Sequence, residues 1–274
     1  MTRVHPTAIV DPRAELGQNV IVGPYAIIGA GVMLGDECEL SAHAVVEGPS
    51  RIGARNRFFP FSVTGAAAQH KRPQTRVSRL TMGDDNVIRE HVTIHRGTET
   101  SAQDRTGQHG HTLREGNETR IGSGNLFMVG AHLAHDVLLG SHCTLANGVQ
   151  LAGHVCVEDH VTMGGLAAVG QHVRVGESAF VAGGAMVEHD VPPYMIVQGD
   201  RARVRALNKV GLARRGVPAG SVQALVCAFR VLYTSGTPRA VAVRELARSP
   251  GASADPFVAR LCGFFSREYA PRDA

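Results

Sequence analysis

The sequence predicts a mainly β fold: a left-handed parallel β-helix of hexapeptide repeats, followed by a C-terminal α-helical domain. Three observations predict it. From Ile121 an aliphatic or aromatic residue recurs at every sixth position: Ile121, Phe127, Leu133, Leu139, Leu145, Leu151, Val157, Met163, Val169, Val175, Val181 and Val187. Four places after each stands a small or β-branched residue, as at Asn125, Ala131, Val137, Cys143 and Val149. Beyond Gly199 this pattern gives way to arginine-rich sequence with helical periodicity. A six-residue period fits neither the 3.6 of a helix nor the alternation of an ordinary strand, and it marks a hexapeptide solenoid.

The geometry follows from the period. Each hexad supplies one short strand and one turn, so three hexads close a triangular coil of eighteen residues. Large residues fill the interior and small ones sit where the chain turns a corner. Parallel crossovers are nearly always right-handed, but hexapeptide solenoids are the exception, so left-handed coiling is expected. Residues eighteen apart then stack, placing Gly153 next to His135 and His154 next to Asp136.

The totals agree. The chain has 274 residues, enough for one domain or two. Aromatics are only 5%, Trp is absent and Gly reaches 32, which suits an aliphatic solenoid that turns often. The five cysteines form no CxxC pair. Cys38 and Cys143 fall on small interior positions, so buried reduced thiols are expected. No apolar stretch approaches the ~18 residues of a membrane span, and MTRVHPTAIV lacks a signal-peptide pattern. A cytoplasmic protein without stable membrane insertion is expected. The net charge of +4 and pI near 9.0 are too mild to argue for nucleic acid. They suit an anionic small molecule or an acidic protein partner.

Taken in order, the ladder starts with Val10, Leu16, Val22, Ile28, Leu34, Leu40, Val46, Ile52 and Phe58. Gly17, Gly23, Gly29, Gly35 and Gly53 each follow a ladder residue, where a tight backbone favours a missing side chain. The pattern lapses over residues 65–79, read as a loop thrown out from the solenoid. It resumes in phase at Met82, Ile88 and Ile94, then lapses again over the polar residues 98–119. Such long excursions commonly carry function. His109 and His111 in the second form an HxH pair, a weak metal signal. After the long ladder, Pro192 and Pro193 should stop or turn the solenoid, giving a β-helix over 1–198 and a helical domain over 199–274. In that domain Val222, Leu225, Val226, Phe229 and Leu232 share one helical face. Ser235-Gly236 closes that helix, Pro238 can begin a second, and Asp255-Pro256 can cap a third running through Phe264.

Candidate chemistry gathers at His132, His135, Asp136, Gly153 and His154. His135 and Asp136 fall two and three places after Leu133, off the interior positions, and should face outward. A histidine beside a carboxylate suits general-base work, because the carboxylate fixes the tautomer and stabilises the imidazolium. A glycine at the stacked position could offer its N–H to an oxyanion. The plainer reading competes: His142, His160 and His172 also stand at the third place after a ladder residue, so histidine is simply acceptable at solenoid turns. Zinc held by solenoid histidines is a further alternative.

The strings HPTAIV, VTIHRGT (92–98), AHLAHD (131–136), LAGHV (151–155), DVPPY (190–194) and GLARRG (211–216) resemble the UDP-N-acetylglucosamine O-acyltransferase family, in order along nearly the whole chain. That resemblance implies a homotrimer with active sites between neighbouring β-helices. In those sites a (R)-3-hydroxyacyl group passes from acyl carrier protein to the glucosamine 3-OH in lipid A synthesis. It implies no metal, and no cofactor beyond the carrier-protein thioester. It makes His135 the base, Asp136 its orienting carboxylate and Gly153 the oxyanion donor. His132, His154, Gln171, His95, Arg72, Asn208, Arg214 and Arg215 become substrate contacts, and Gly183, which resembles the acyl-chain ruler, is with Gly170 a candidate acyl-chain contact. The sequence departs from the family at four places. His70 and Arg72 stand where an Asp and a Lys are usual, Gly170 replaces a cleft His, Val210 replaces an acidic nucleotide contact, and the 98–119 loop is longer. An amino-substituted UDP-sugar, giving N-acylation, or a non-catalytic UDP-sugar-binding paralogue are the alternatives these departures raise.

Overall fold

The computed structural model describes residues 1–69, 78–98 and 118–265, apart from the side chains of residues 252 and 253. His70, Arg72, His109 and His111 therefore lie outside the described residues. The solenoid is a left-handed β-helix built from very short parallel strands. Successive strands of a coil go to three different sheets, which hold eleven, nine and eight strands among the described residues. The register is the eighteen-residue one: Leu126 pairs with Thr144, His132 with Gln150 and Leu138 with Cys156.

The ladder residues point inward, as their spacing requires. Leu133, Leu139, Leu145 and Leu151 are fully buried, each stabilising by roughly 1.5–3 kcal/mol relative to exposure. Val10 and Leu16 are only half-buried, because the first coil has no coil beneath it, and the solenoid begins one strand earlier than expected, at Arg3–Val4. Most described corners carry one residue near φ +60° at the third place after the ladder residue, including Asp136, His142, His154, His160 and His172. His, Asn and Asp tolerate that left-handed conformation better than most residues, which accounts for the recurring corner histidines. The glycine beside a ladder residue has a different cause, close approach: a Cβ on Gly35 would lie 2.6 Å from the carbonyl carbon of Gly53.

The two excursions lengthen single coils while ladder residues stay stacked, Phe58 on Ile88 and Ile88 on Phe127; the second shifts the six-residue phase by three positions. Arg57 pairs with Val87 and Val87 with Leu126, 30 and 39 residues on instead of 18. Strands Val63–Ala66, Arg79–Met82 and Glu118–Ile121 run into the stretches read as loops. Beside these long coils the small interior column turns polar. Asn56 Oδ1 accepts from Asn86 Nδ2 at 2.9 Å, Asn86 Oδ1 accepts from Asn125 Nδ2 at 2.9 Å, and Asn125 Oδ1 accepts from the Cys143 N–H at 2.7 Å.

The prolines 192 and 193 turn the chain but do not end the solenoid. Met195–Gln198 adds a further parallel strand, then pairs antiparallel with Arg203–Leu207. The expected boundary at 198 thus falls at the turn of a hairpin, and the sheet runs on to Leu207. Arg201, Arg203 and Arg205 face outward on this last hairpin; they read as a charge cluster because an edge strand studded with arginine has too little apolar alternation to show. Among the described residues five helices follow: α1 (Lys209–Arg214), α2 (Ala219–Tyr233), α3 (Arg239–Arg248), α4 (Pro250–Ser253) and α5 (Pro256–Phe264). α2 buries Leu225, Ala228 and Leu232, with Val222, Val226 and Phe229 half-buried on the same side. Gly236 has φ +78°, Pro238 precedes α3, and Asp255 caps α5 by accepting from the Phe257 and Val258 N–H groups. All five cysteines are free, with Cys38, Cys143 and Cys262 buried.

Asn86→Val is expected to destabilise the protein by about 2–4 kcal/mol, because it strands the buried backbone N–H and side-chain amide of Asn125, both of which donate to Asn86 Oδ1. Urea unfolding at neutral pH would measure it; a midpoint within error of the parent would show that the column tolerates an apolar rung.

Candidate active site

The edge between the nine- and eight-stranded sheets gathers most of the residues singled out in the sequence. His95 and His132 lie on strands Thr93–His95 and His132–Leu133, and His135, Asp136, Gly153, His154, Gly170 and Gln171 lie at or beside the turns that follow the sheet. His135 Nδ1 is 2.8 Å from Asp136 Oδ2. The stacking rule holds at atomic level: the His154 N–H donates to the His135 carbonyl at 3.1 Å, and His154 Nε2 lies 3.7 Å from Asp136 Oδ2. A Cβ on Gly153 would fall 2.6 Å from His135 Cε1, so only glycine lets the imidazole lie where it does. Among the described residues no acceptor takes the Gly153 N–H.

The expectation that this pair faces outward needs correction. It points away from the prism, yet the side chains of His135 and Asp136 are only 12% and 5% exposed. The chain leaving strand Thr93–His95 covers them. The Thr98 N–H donates to both Asp136 oxygens, at 3.0 and 3.1 Å, the Thr98 hydroxyl donates to Oδ2, and Thr119 Oγ1 accepts from the Asp136 N–H at 2.9 Å. Burial pushes the Asp136 carboxyl up, but the hydrogen bonds from His135 and Thr98 and the nearby His154 outweigh it and hold the group below its ordinary value. Asp136 is therefore an anion at neutral pH. With the His135 Nδ1–H directed at it, the basic nitrogen of that ring is Nε2.

Further imidazoles extend the cluster. His95 and His132 meet edge-to-face at 5.0 Å, His135 and His154 at 5.1 Å, and His154 stacks on His172 at 4.7 Å. Thr93 Oγ1 bonds His132 Nδ1 at 2.7 Å. Burial and repulsion from neighbouring rings press His95 down to about 4, and burial followed by His135 lowers His132. Donor atoms of His135, Asp136 and His154 lie within 4.8 Å of one another, a spacing that could hold a metal ion. The 2.8 Å contact between His135 and Asp136 is a hydrogen bond, which commits those two atoms to sharing a proton.

The other predicted residues lie elsewhere on the prism. Asn208, Arg214 and Arg215 line a cavity of about 610 Å³ with His142, His160 and Val210, on the edge between the eight- and eleven-stranded sheets. Asn208 is buried and engaged: its amide donates to the Ser178 carbonyl at 2.9 Å, and its Oδ1 caps α1 by accepting from the Gly211 N–H. Gly183 is exposed at the third edge, after strand Phe180–Val181. Sequence reasoning missed Thr98 and Thr119. Thr119 was detectable, since it occupies the small interior position one coil before Val137, whereas nothing in the repeat marks Thr98.

A hexapeptide solenoid with its chemistry on an outer edge is the architecture of the bacterial hexapeptide transferases, and residues 13–48 match the family model for bacterial transferase hexapeptides (six repeats). Residues 190–271 match the model for the second domain of UDP-N-acetylglucosamine O-acyltransferase. The acyl-[acyl-carrier-protein]–UDP-N-acetylglucosamine O-acyltransferases of Saccharophagus degradans and Syntrophobacter fumaroxidans are each 46% identical to the chain. The first alignment covers 90% of both chains, the second 85% of this chain and 86% of the relative. The crystal structure of the UDP-N-acetylglucosamine acyltransferase of Bacteroides fragilis superposes with a TM-score of 0.86 at 32% identity, over 96% of each chain. The Moraxella catarrhalis UDP-N-acetylglucosamine O-acyltransferase gives 0.85 at 35%, over 94% of this chain and 95% of its own. The chain belongs to the UDP-N-acetylglucosamine O-acyltransferase family. Among the described residues, no helix is long and apolar enough to cross a membrane.

His95 generates a pH prediction. Its pKa is about 4 in the folded chain and near the ordinary 6.5 when unfolded, so between these values the unfolded chain binds more protons. The contribution to stability is complete above pH 6.5 and is lost as pH falls toward 4. His95→Asn should flatten the dependence of the urea midpoint on pH across that window. Parallel curves for variant and parent would assign the dependence to other groups.

Proposed function

We propose that this chain transfers a (R)-3-hydroxyacyl group from the thioester of acyl carrier protein to the 3-hydroxyl of UDP-N-acetylglucosamine, the first acylation of lipid A synthesis. The observation that carries the reading is the buried His135–Asp136 pair packed against the Gly153 backbone. His135 Nε2 takes the proton of the sugar 3-OH as its oxygen attacks the thioester carbonyl carbon. Asp136 holds the tautomer and stabilises the imidazolium. The tetrahedral oxyanion is met by the Gly153 N–H. Collapse breaks the C–S bond, and the departing carrier-protein thiolate takes the proton from His135. These steps use no cofactor besides the thioester.

His132, His154, His95 and Gln171 border the same edge and are the candidates for holding the sugar. Arg214 and Arg215 suit a diphosphate, because the guanidinium fork matches its oxygens. They sit on a different edge of the prism from His135, so a second copy of the chain must bring them together, which supports a homotrimer with the sites between subunits. Gly183, on the remaining edge, fits the same logic as an acyl-chain contact. The exposed Arg201, Arg203 and Arg205 offer an acidic carrier protein a basic approach. Cytoplasmic location is part of this reading, since acyl carrier protein and nucleotide sugar are soluble substrates.

His135→Ala and Asp136→Asn should each lower kcat, the first by about 10² or more as for loss of a general base, with thermal unfolding of His135→Ala close to that of the parent. The deciding assay pairs UDP-N-acetylglucosamine and its 3-amino analogue with a series of 3-hydroxyacyl carrier proteins. Product from the first sugar supports O-acylation. Product from the analogue alone would make Gly170 a specificity position and replace this reading by N-acylation. UDP binding without product from either sugar would leave a non-catalytic binding protein.

A further inference from the structure

Where the helical domain meets the solenoid, two glutamates are buried. Glu158 follows the ladder residue Val157, and Glu177 stands one coil further on at the next turn; they are 6% and 8% exposed. Carboxylates are seldom buried unless paired, and these two are. Glu158 Oε2 accepts from Arg260 Nη2 at 2.9 Å and from the Glu177 N–H at 2.9 Å. One Glu177 oxygen pairs with Arg260 Nε and the other with Arg215 Nη1. The same Arg215 nitrogen donates to Ser178 Oγ at 2.9 Å. Two acids and two guanidiniums thus form a charge-balanced cluster running from α5, which carries Arg260, to the residue that ends α1, Arg215. Arg215 also lines the cavity with Arg214.

We propose that Glu177 is a positioning residue for nucleotide binding, fixing the Arg215 guanidinium at the cavity wall while Arg260 and Glu158 fix Glu177. The proposal rests on Arg215 as a diphosphate contact. An arginine held in place has already lost the rotamer freedom that binding would otherwise cost. A carboxylate beside a binding arginine also has an opposing effect, since its charge weakens attraction for an anion. Sharing Glu177 with Arg260 reduces that penalty, so positioning wins. The cluster makes cavity geometry depend on α5, an element that does not line the cavity.

The test measures UDP binding by titration calorimetry on the full-length protein, with KM and kcat for the nucleotide sugar alongside. Glu177→Gln should weaken UDP binding about fivefold, raise KM in step and move kcat by less than about twofold. In an Arg215→Ala background, itself weakened, Glu177→Gln should cause no further loss, because the two act through one contact. The charge-balanced double variant Glu177→Gln with Arg260→Gln should show the same weakening, and it provides the measurement if the single variant unfolds. Unchanged or tighter UDP binding in Glu177→Gln, or an equal further loss in the Arg215→Ala background, would overturn the positioning role alone. Unchanged binding in Arg215→Ala would overturn the nucleotide assignment of the cavity, and this proposal with it.

Discussion

The eighteen-residue register between coils is the constraint on which the rest of the molecule depends. It is enforced twice, by backbone hydrogen bonds such as Leu126 N–H to the Cys143 carbonyl at 2.9 Å, and by the alternation that puts each ladder residue inside. A slip of one residue would send Leu133 outward and a polar neighbour inward. Because the register is so strongly fixed, a side chain's address on the prism is set by its sequence number. His135 cannot stack on anything but the residue at 153, and that residue is a glycine with room for the ring.

The same constraint explains how a cluster of ionisable groups survives half-buried at a corner. The turn holds Asp136 and His154 in a left-handed conformation that is unfavourable for most residues, at φ +59° and +61°. In return it aims successive side chains out of one edge, a coil apart, with His154 Nε2 3.7 Å from Asp136 Oδ2. The cost of burying the Asp136 charge is offset by donors from Thr98 and His135, and the crowding of imidazoles is relieved by keeping His95 and His132 neutral. The result is one fixed anion at a corner where two of the crowded rings, His95 and His132, are kept neutral.

How much of this could be read from the sequence follows the same line. Where a contact joins residues eighteen apart, the repeat announced it: His135 with Gly153, and Asp136 with His154. Where a contact depends on chain outside the repeat, it was invisible. Thr98 reaches Asp136 across 38 residues, and Arg260 reaches Glu158 across 102. The asparagines 56, 86 and 125 were legible by position but not by role, because the period reports size and says nothing of the hydrogen bonds that run down the column. The excursions themselves were marked by loss of pattern, though not the strands that run into them.

The two ends of the solenoid face the same problem, an open row of strand edges that invites pairing with another chain. At the N-terminal end the answer is local: Pro6 and Pro12 lack an N–H, and the first strands are two residues long. At the other end the last parallel strand is covered by an antiparallel one, Arg203–Leu207, whose arginines face away. Reversing direction there delivers the chain back to the edge between the eight- and eleven-stranded sheets, where Asn208 ties the start of α1 to Ser178. The cavity beside Arg214 and Arg215 is a by-product of that closure. A device that ends the sheet therefore also supplies a basic site, and the buried Glu158–Arg260 pair ties the closing domain to the coil that forms the cavity's wall.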